Sequence, residues 1–389
     1  MKPIEPARRI RDLPKYLFAE IDRKKKEVAS RGVDIISLGI GDPDQPTPPH
    51  IVEALRDAAR NPVNHRYPDY EGSLPLRTAV GKWYKDRFGV AVDPATEVVV
   101  LIGSKEGIAH LPHAYADRGD WVLVPDPGYP VYGIMSAMIG AQVHRMPLCE
   151  ERAFLPDLGA IPGEIAASAK IMFLNYPNNP TGASAPREFF EEALAFCRER
   201  GILLALDCAY SEIHFGHDVY RSIFDLPGAR EHAVEFHSLS KTYNMTGWRV
   251  GFAVGGAAVI DAMLKVKTNL DSGVFGAVQD AAVAALSGDQ SCVERTRAIF
   301  AARRQRVAQA LTRMGFRFRT PEGAFYFWVR VPEGRTSAQF CMQMLEKAGV
   351  VVTPGTGFGP SGEGYFRISL TCPDDRLDEA LGRMQKFLA

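Results

Sequence analysis

The sequence predicts an α/β protein in which a large domain, built on a mostly parallel central sheet flanked by helices, is joined to a smaller α+β domain. With 389 residues, the chain is long enough for two or three domains. Several short runs are continuously apolar rather than alternating, which is typical of strands covered by helices on both faces. These runs lie at 98–102, 121–124, 171–174 and 202–206.

Helix signals separate these strands. A helix-like stretch follows Gly103 and Ser104 from Lys105, and an amphipathic stretch spans 186–200. Turn-forming residues such as those at 125–128 end the strands before each new element. Alternation of strand and helix in this manner favours a parallel sheet with helical crossovers.

The last hundred residues combine helix and strand patterns in another way. A helical pattern at about 291–314 precedes a strand-like run at 324–329, and further strand-like runs lead to a closing helix from Asp374. This mixture is typical of a small α+β domain. The predicted units are an N-terminal segment at 1–47 that packs on the small domain, a large domain at 48–285 and a small domain at 286–389.

The formal charge is balanced, with 46 basic and 46 acidic residues. Without a net positive field, neither nucleic acid nor an anionic membrane is expected as the main partner. The longest uncharged apolar stretch, 250–260, is glycine-rich and too short to span a bilayer, and the first nine residues lack the apolar region of a secretion signal. Six cysteines without a Cys-x-x-Cys pair predict neither a zinc site nor a disulfide framework. We therefore expect a cytoplasmic protein with no metal site.

Polar residues follow several of the predicted strands at their carboxyl ends. In an open parallel sheet these ends form the ligand-binding edge. The residues at this edge are Ser104, Tyr129, Asn179, Asp207, Tyr210, Ser238 and Lys241. Each has an ordinary structural explanation when taken alone. Together they form a set suited to a cofactor that is anionic, aromatic and carbonyl-bearing.

The segment 236–251 carries the strongest chemical signal. Two hydroxyl residues, Ser238 and Ser240, precede Lys241, and Arg249 follows it eight residues later. A lysine near fixed cations has a lowered pKa, and its neutral amine can condense with an aldehyde. The serine hydroxyl and the guanidinium of Arg249 suit a phosphate group. A lone lysine in a Ser/Thr-rich loop is usually a surface residue, but the complete string favours chemistry.

This segment resembles the active-site lysine motif of fold type I pyridoxal-phosphate enzymes of the class I/II aminotransferase family. The similarity covers nearly the whole chain, from 38–44 through 178–182 and 207–210 to 367–369, in the expected order. The resemblance implies the fold type I architecture, pyridoxal 5′-phosphate as cofactor, and transamination between amino acids and 2-oxo acids.

The resemblance also implies individual roles. Lys241 would form the internal aldimine and then move the proton between the substrate Cα and the cofactor. Asp207 would lie against the pyridine nitrogen, and Tyr129 would stack on the ring. The ordinary alternatives are a strand-end aspartate that caps a turn and a tyrosine packed in the core. The cofactor-binding residues so implied are Ser104, Lys105, Tyr129, Asn179, Asp207, Tyr210, Ser238, Ser240, Arg249 and, from a neighbouring subunit, Tyr67.

Tyr67 carries the expectation of an assembly. It lies five residues before Gly72, and in the family the corresponding tyrosine reaches the phosphate bound by the neighbouring subunit. The resemblance therefore implies a homodimer with shared active sites. Tyr70 competes for the same role, and only the spacing favours Tyr67.

Substrate recognition is assigned by resemblance too. Arg367 would bind the substrate α-carboxylate at two points, and Gly41 would approach it through its backbone N–H. Within the family, 13–21, 37–44, 103–108 and 237–249 are similar to LL-diaminopimelate aminotransferases, which act in lysine biosynthesis. The alternative is an aspartate- or alanine-type aminotransferase. The substrate-binding residues so implied are Tyr16, Gly41, Lys105, Tyr129, Asn179, Asn269 and Arg367, with Asn269 the weaker candidate.

Three other classes remain as alternatives. A lyase or decarboxylase would use the same cofactor set. A cofactor-binding regulator would need a DNA-binding module, which the balanced charge does not favour. A nicotinamide dehydrogenase would need a G-x-G-x-x-G loop, whereas Gln45 and Pro46 stand where its helix would begin.

Overall fold

The computed structural model describes residues 3–11, 13, 17–216 and 221–388. The strands are β1 (Ile36–Ser37), β2 (Val98–Leu101), β3 (Trp121–Asp126), β4 (Gln142–Pro147), β5 (Ala169–Leu174), β6 (Leu203–Asp207), β7 (Ala233–Ser238), β8 (Gly251–Gly255), β9 (Tyr326–Arg330), β10 (Val350–Val351), β11 (Thr353–Pro354) and β12 (Tyr365–Ser369). The helices are α1 (Arg8–Arg11), α2 (Leu17–Ala29), α3 (Pro49–Ala58), α4 (Leu74–Phe88), α5 (Ser104–Tyr115), α6 (Val131–Met138), α7 (Gly163–Ser168), α8 (Arg187–Arg200), α9 (Leu239–Thr242), α10 (Ala257–Lys267), α11 (Gly276–Ser287), α12 (Ser291–Arg313), α13 (Ser337–Ala348) and α14 (Asp374–Leu388).

The large sheet has the strand order β2-β8-β7-β6-β5-β3-β4. Its strands from β4 through β7 pair in parallel, whereas β8 is antiparallel to both of its neighbours, β7 and β2. This confirms the predicted α/β fold with a mostly parallel sheet. The apolar run at 98–102 gave no sign that its strand pairs with an antiparallel neighbour, because continuous burial is the same in either direction.

Strand β5 shows how the sheet is covered on both faces. Ile171 and Phe173 belong to the apolar cluster that includes residues of α5 and α6. Met172 and Leu174 point to the opposite cluster, which includes Phe189 and Phe190 of α8. Truncating a fully buried ring such as Phe173 to alanine typically costs about 3–5 kcal/mol. The continuous apolar pattern therefore follows from two buried faces.

The smaller sheet has the order β11-β12-β9 with antiparallel pairing. Next to it, β1 pairs in parallel with β10, so the chain before residue 48 contacts this part of the molecule. The backbone N–H of Ser369 donates to the carbonyl of Leu38 at 2.7 Å. The segment 38–44 is thereby held beside β12, which carries Arg367.

A buried arginine fixes the other end of that segment. Arg303 on α12 donates to Asp44 and to Asp374, each at 2.6 Å, and to the carbonyl of Leu370 at 2.9 Å. The segment 38–44 is thus clamped between β12 and α12. Among the helices within the described residues, none has the length and apolar content required to cross a membrane.

Candidate active site

Lys241 lies on the short helix α9, directly after β7. Its Nζ donates to the carbonyl oxygen of Gly41 at 2.8 Å. The pKa of Lys241 is lowered to about 8, chiefly by burial; Asp42 opposes this shift, and Arg249 and Arg367 add smaller lowering contributions. A substantial fraction of the amine is therefore neutral at mildly alkaline pH, as a nucleophilic lysine requires. The two arginines contribute less than burial does.

Asp207 ends β6 and is buried. The hydroxyl of Tyr132 donates to its Oδ2 at 2.7 Å, and the N–H of Ala209 donates to its Oδ1 at 3.3 Å. Burial raises the pKa of Asp207, whereas these two donors and the nearby His237 lower it. A carboxylate held in this way is suited to pair with a protonated ring nitrogen.

Arg367 and Asn179 meet although 188 positions separate them in the chain. Arg367 is buried on β12; its Nη1 donates to Oδ1 of Asn179 and its Nη2 donates to the carbonyl of Gly39, each at 2.6 Å. The guanidinium lies 4.2 Å above the ring of Tyr326 and 4.6 Å from that of Phe358. These contacts fix the plane of the guanidinium, which favours two-point binding of a carboxylate.

Tyr210 and Tyr326 form a buried hydroxyl pair, with 2.9 Å between their oxygens. A Cβ added at Gly41 would collide with the hydroxyl of Tyr326. Glycine at position 41 is therefore required for close packing between the segment 38–44 and β9. Tyr326 was not predicted as a site residue, because 324–329 has only a strand pattern. Tyr132 was not predicted either, although the motif around Tyr129 could have indicated it.

The beginning of α5 forms a compact cradle. Gly103 has φ +77°, and a Cβ added there would collide with the guanidinium of Arg249. Gly251 pairs with Ser238 in the sheet, and a Cβ added at Gly251 would lie 3.0 Å from the backbone nitrogen of Ser104. A helix N-terminus, a serine hydroxyl and a guanidinium therefore converge, as phosphate binding requires. The Oγ of Ser238 accepts from the N–H of Ser240 at 3.3 Å.

The other predicted residues are exposed, half-buried or outside the described residues. Lys105 is exposed on α5, and Asn269 is exposed after α10, where its amide donates to the carbonyl of Lys265 at 2.8 Å. Tyr67 is 89% exposed and Tyr70 is 43% exposed, so neither is packed into the site of its own chain. Tyr129 is half-buried, and the centre of its ring lies 5.6 Å from that of Tyr132. Tyr16 lies outside the described residues.

A cavity of about 1030 Å³ opens beside this site. Tyr129 and Phe358 form part of its wall. Four arginines line it, Arg8, Arg9, Arg118 and Arg145, and within the described part of the chain its lining includes no carboxylate side chain. An anionic molecule that approaches Tyr129 from this side meets a positive surface.

The residues present fit pyridoxal 5′-phosphate. Lys241 supplies an amine of lowered pKa, Asp207 a buried carboxylate, and the start of α5 a cradle for an anion. The fold and the site together define a pyridoxal-phosphate-dependent transaminase. Residues 33–384 match the family described as aminotransferase class I and II, and the chain belongs to that family.

Individual relatives are similar over their full length. The LL-diaminopimelate aminotransferase of Moorella thermoacetica is 52% identical over 387 residues, which cover 99% of each chain. The substrate-bound structure of BacF from Bacillus subtilis has a TM-score of 0.94 at 41% identity and covers 99% of this chain and 98% of that one. A Thermus thermophilus aspartate aminotransferase double mutant has a TM-score of 0.92 at 30% identity, with all of both chains covered.

Proposed function

We propose that the protein is an LL-diaminopimelate aminotransferase that exchanges an amino group between LL-diaminopimelate and 2-oxoglutarate in lysine biosynthesis. The observation that carries this proposal is the 52% identity over the full length of a relative with that name, compared with 30% for the aspartate aminotransferase. The arginines that line the cavity beside Tyr129 support a substrate that carries carboxylates.

We propose that the substrate carboxylate is bound by Arg367. Its Nη1 and Nη2 are held by Asn179 and by the carbonyl of Gly39. The fixed guanidinium plane orients the substrate so that its Cα faces Lys241, and the backbone N–H of Gly41 contributes to the same carboxylate. Correct orientation of reacting groups accounts for a large part of enzymatic rate enhancement.

The proton transfer is assigned to Lys241. The bound cofactor supplies an aldehyde carbon for linkage to amines and a ring that withdraws electrons from the substrate Cα. The Nζ of Lys241 would accept the proton from the substrate Cα and deliver it to the carbon through which the cofactor is linked to the amino group, which its lowered pKa allows near neutral pH. Asp207, held by Tyr132, keeps the ring nitrogen protonated.

We infer that the chain forms a homodimer. Large apolar side chains are exposed on two adjacent segments: Val63 is 69% exposed, Tyr67 89%, Leu74 54%, Leu270 61% and Phe275 47%. Exposed apolar residues gathered in this way typically mark an interface. A second copy is the proposed occupant, in which Tyr67 would reach the cofactor phosphate of the partner.

We also propose a cytoplasmic location. Six cysteines are present as free thiols, and five of them are buried. A reducing compartment preserves such thiols, and buried thiols pack as small apolar side chains.

The proposal is tested by an absorbance spectrum of the purified protein with pyridoxal 5′-phosphate. We expect a visible band that shifts when LL-diaminopimelate is added and returns when 2-oxoglutarate follows. A band that responds only to aspartate, alanine or glutamate would retain the transaminase and reject the diaminopimelate assignment. A shift with LL-diaminopimelate that 2-oxoglutarate does not reverse would favour a lyase or decarboxylase.

A further inference from the structure

A buried lysine joins two carboxylates outside the catalytic centre. Lys267, the last residue of α10, is 1% exposed. Its Nζ donates to Oε1 of Glu106 and to Oδ1 of Asp271, each at 2.7 Å. Nδ1 of His110 lies 3.6 Å from Glu106, and burial lowers the pKa of this histidine. We call Lys267, Glu106 and Asp271 the lysine triad.

The two carboxylates of the lysine triad could be mistaken, together with His110, for a metal site. Ligand atoms of Glu106, His110 and Asp271 lie within 4.8 Å of one another. However, the ammonium of Lys267 already lies between the two carboxylates and supplies the positive charge that they require. Buried carboxylates need such a partner, because an unpaired buried charge is strongly unfavourable. The triad is therefore an ion-paired structural unit.

Each carboxylate of the triad belongs to a different part of the molecule. Glu106 lies in the first turn of α5, two residues after Ser104, and its Oε2 accepts from the backbone N–H of Ile102. Asp271 lies in the loop 268–275, where its Oδ1 also accepts from the N–H of Gly273 at 2.8 Å. Lys267 thus ties this loop to the helix that forms the phosphate cradle.

The loop 268–275 is continuous with the exposed apolar surface. It carries Leu270 and Phe275, which are 61% and 47% exposed. Gly273 packs against the segment that carries Tyr67, since a Cβ added at Gly273 would lie 3.0 Å from Pro68. The loop and the Tyr67 segment therefore form one surface unit that would face a second copy.

We propose that Lys267 is a positioning residue that holds the loop 268–275 in place for the active site of the partner subunit. This inference rests on the proposed function, because it requires the homodimer. Without the ammonium, the loop would lose the pair of hydrogen bonds through which Lys267 joins Asp271 to Glu106, and its attachment to α5 would be weakened. The partner's site would then lack a correctly placed wall.

The first test compares two lysines on the same helix. Lys267→Met removes the buried ammonium but keeps an unbranched side chain. Lys265→Met is the matched control, because Lys265 forms an exposed pair with Asp261 on the surface of α10. We expect Lys267→Met to lower kcat/KM by on the order of 10- to 100-fold, as displaced substrate-positioning groups do. Lys265→Met is expected to behave as the wild type, and equal activity of both variants would overturn the proposal.

The decisive test uses hybrid dimers. One chain carries Lys241→Ala, which abolishes its own site but leaves its loop intact; the other carries Lys267→Met and keeps Lys241. In the hybrid, the only site with Lys241 receives the intact loop from the other chain. We expect this hybrid to recover half of the wild-type activity per dimer. Activity as low as that of the Lys267→Met homodimer would show that Lys267 acts only within its own chain, which overturns the proposal.

Two further measurements keep the outcomes separate. If Lys267→Met does not fold, the hybrid experiment is repeated with Asp271→Asn, which weakens the same ion pair from the loop side; the same recovery is expected, and its absence overturns the inference. Sedimentation of the wild-type chain tests the dimer itself. A monomeric, active wild type would reject the proposed assembly and this inference together, whereas a dimeric wild type with an inactive hybrid would reject this inference alone.

Discussion

The hydroxyl of Tyr132 donates a 2.7 Å hydrogen bond to Oδ2 of Asp207. Both residues are buried, and the ring of Tyr132 is stacked on Phe173 with 4.9 Å between the ring centres. The core of the sheet therefore fixes the position of the carboxylate. Since hydrogen bonding to a charged group stabilises its charged form, Tyr132 keeps Asp207 more acidic than burial alone would allow.

Tyr132→Phe removes this hydrogen bond and little else. The pKa of Asp207 is expected to rise, so that the carboxylate becomes a poorer partner for the cofactor ring nitrogen. We expect kcat to fall by about tenfold, which corresponds to the loss of one charge-assisted hydrogen bond, while the cofactor remains bound. The measurement is kcat as a function of pH. Tyr176→Phe is the control, because the buried hydroxyl of Tyr176 donates to a backbone carbonyl, that of Phe154; a similar loss in both variants would contradict the assigned role.

Lys241 is expected to control the rate at which the protein takes up its cofactor. Burial lowers its pKa to about 8, and only the neutral amine condenses with an aldehyde. Below pH 8 the rate of loading should therefore fall by about tenfold per pH unit, and above pH 8 it should level off. Stopped-flow absorbance of the cofactor-free protein mixed with pyridoxal 5′-phosphate measures this rate. Lys241→Ala should lack the absorbance band of the lysine-linked cofactor and show no turnover at any pH, and retained transamination would refute the mechanism.

Arg367→Lys tests whether the planar guanidinium matters rather than its charge alone. Lysine keeps the positive charge but cannot hold Asn179 and the carbonyl of Gly39 while it binds a carboxylate at two points. We expect kcat/KM for the amino-acid substrate to fall by about 100-fold or more, as loss of a charge-assisted pair predicts. Steady-state kinetics with each substrate provide the measurement. Unchanged KM and kcat would mean that another residue binds the α-carboxylate.

Glu106 makes a pH-dependent contribution to stability. Burial raises its pKa, although Lys267 opposes this effect, and Asp271 and His110 are the other titratable groups that face it. The folded state therefore binds this proton more tightly than the unfolded chain does. Its stabilising contribution is complete below the pKa of an unfolded glutamate, about 4.3, and is lost as the pH rises through the folded pKa. In urea denaturation at rising pH, the free energy of unfolding of the wild type should fall relative to that of Glu106→Gln. A difference between the two proteins that stays constant with pH would contradict the predicted direction.

Local features of the sequence were sufficient for much of the fold. The predicted helix at about 291–314 corresponds to α12 (Ser291–Arg313), and the predicted closing helix begins at Asp374 as α14 does. Such elements are encoded by short-range periodicity and turn residues, which a single sequence displays. The antiparallel direction of β8 was not predicted, because pairing direction depends on the route of the chain between strands.

The residues of the candidate site also fall into two groups, those that local sequence patterns indicate and those that only the tertiary structure brings together. The string around Lys241 and the residues at strand ends are local, so the sequence alone identified the family and its cofactor and predicted the lysine. Only the tertiary structure brought together residues far apart in the chain. Arg367 and Asn179 are 188 positions apart, Tyr132 and Asp207 are 75 apart, and Lys267 and Glu106 are 161 apart. Contacts of this kind depend on strand register and side-chain packing, which no local pattern encodes. The sequence therefore determined the class of reaction and its cofactor, and the tertiary structure decided which residues hold the functional side chains in position.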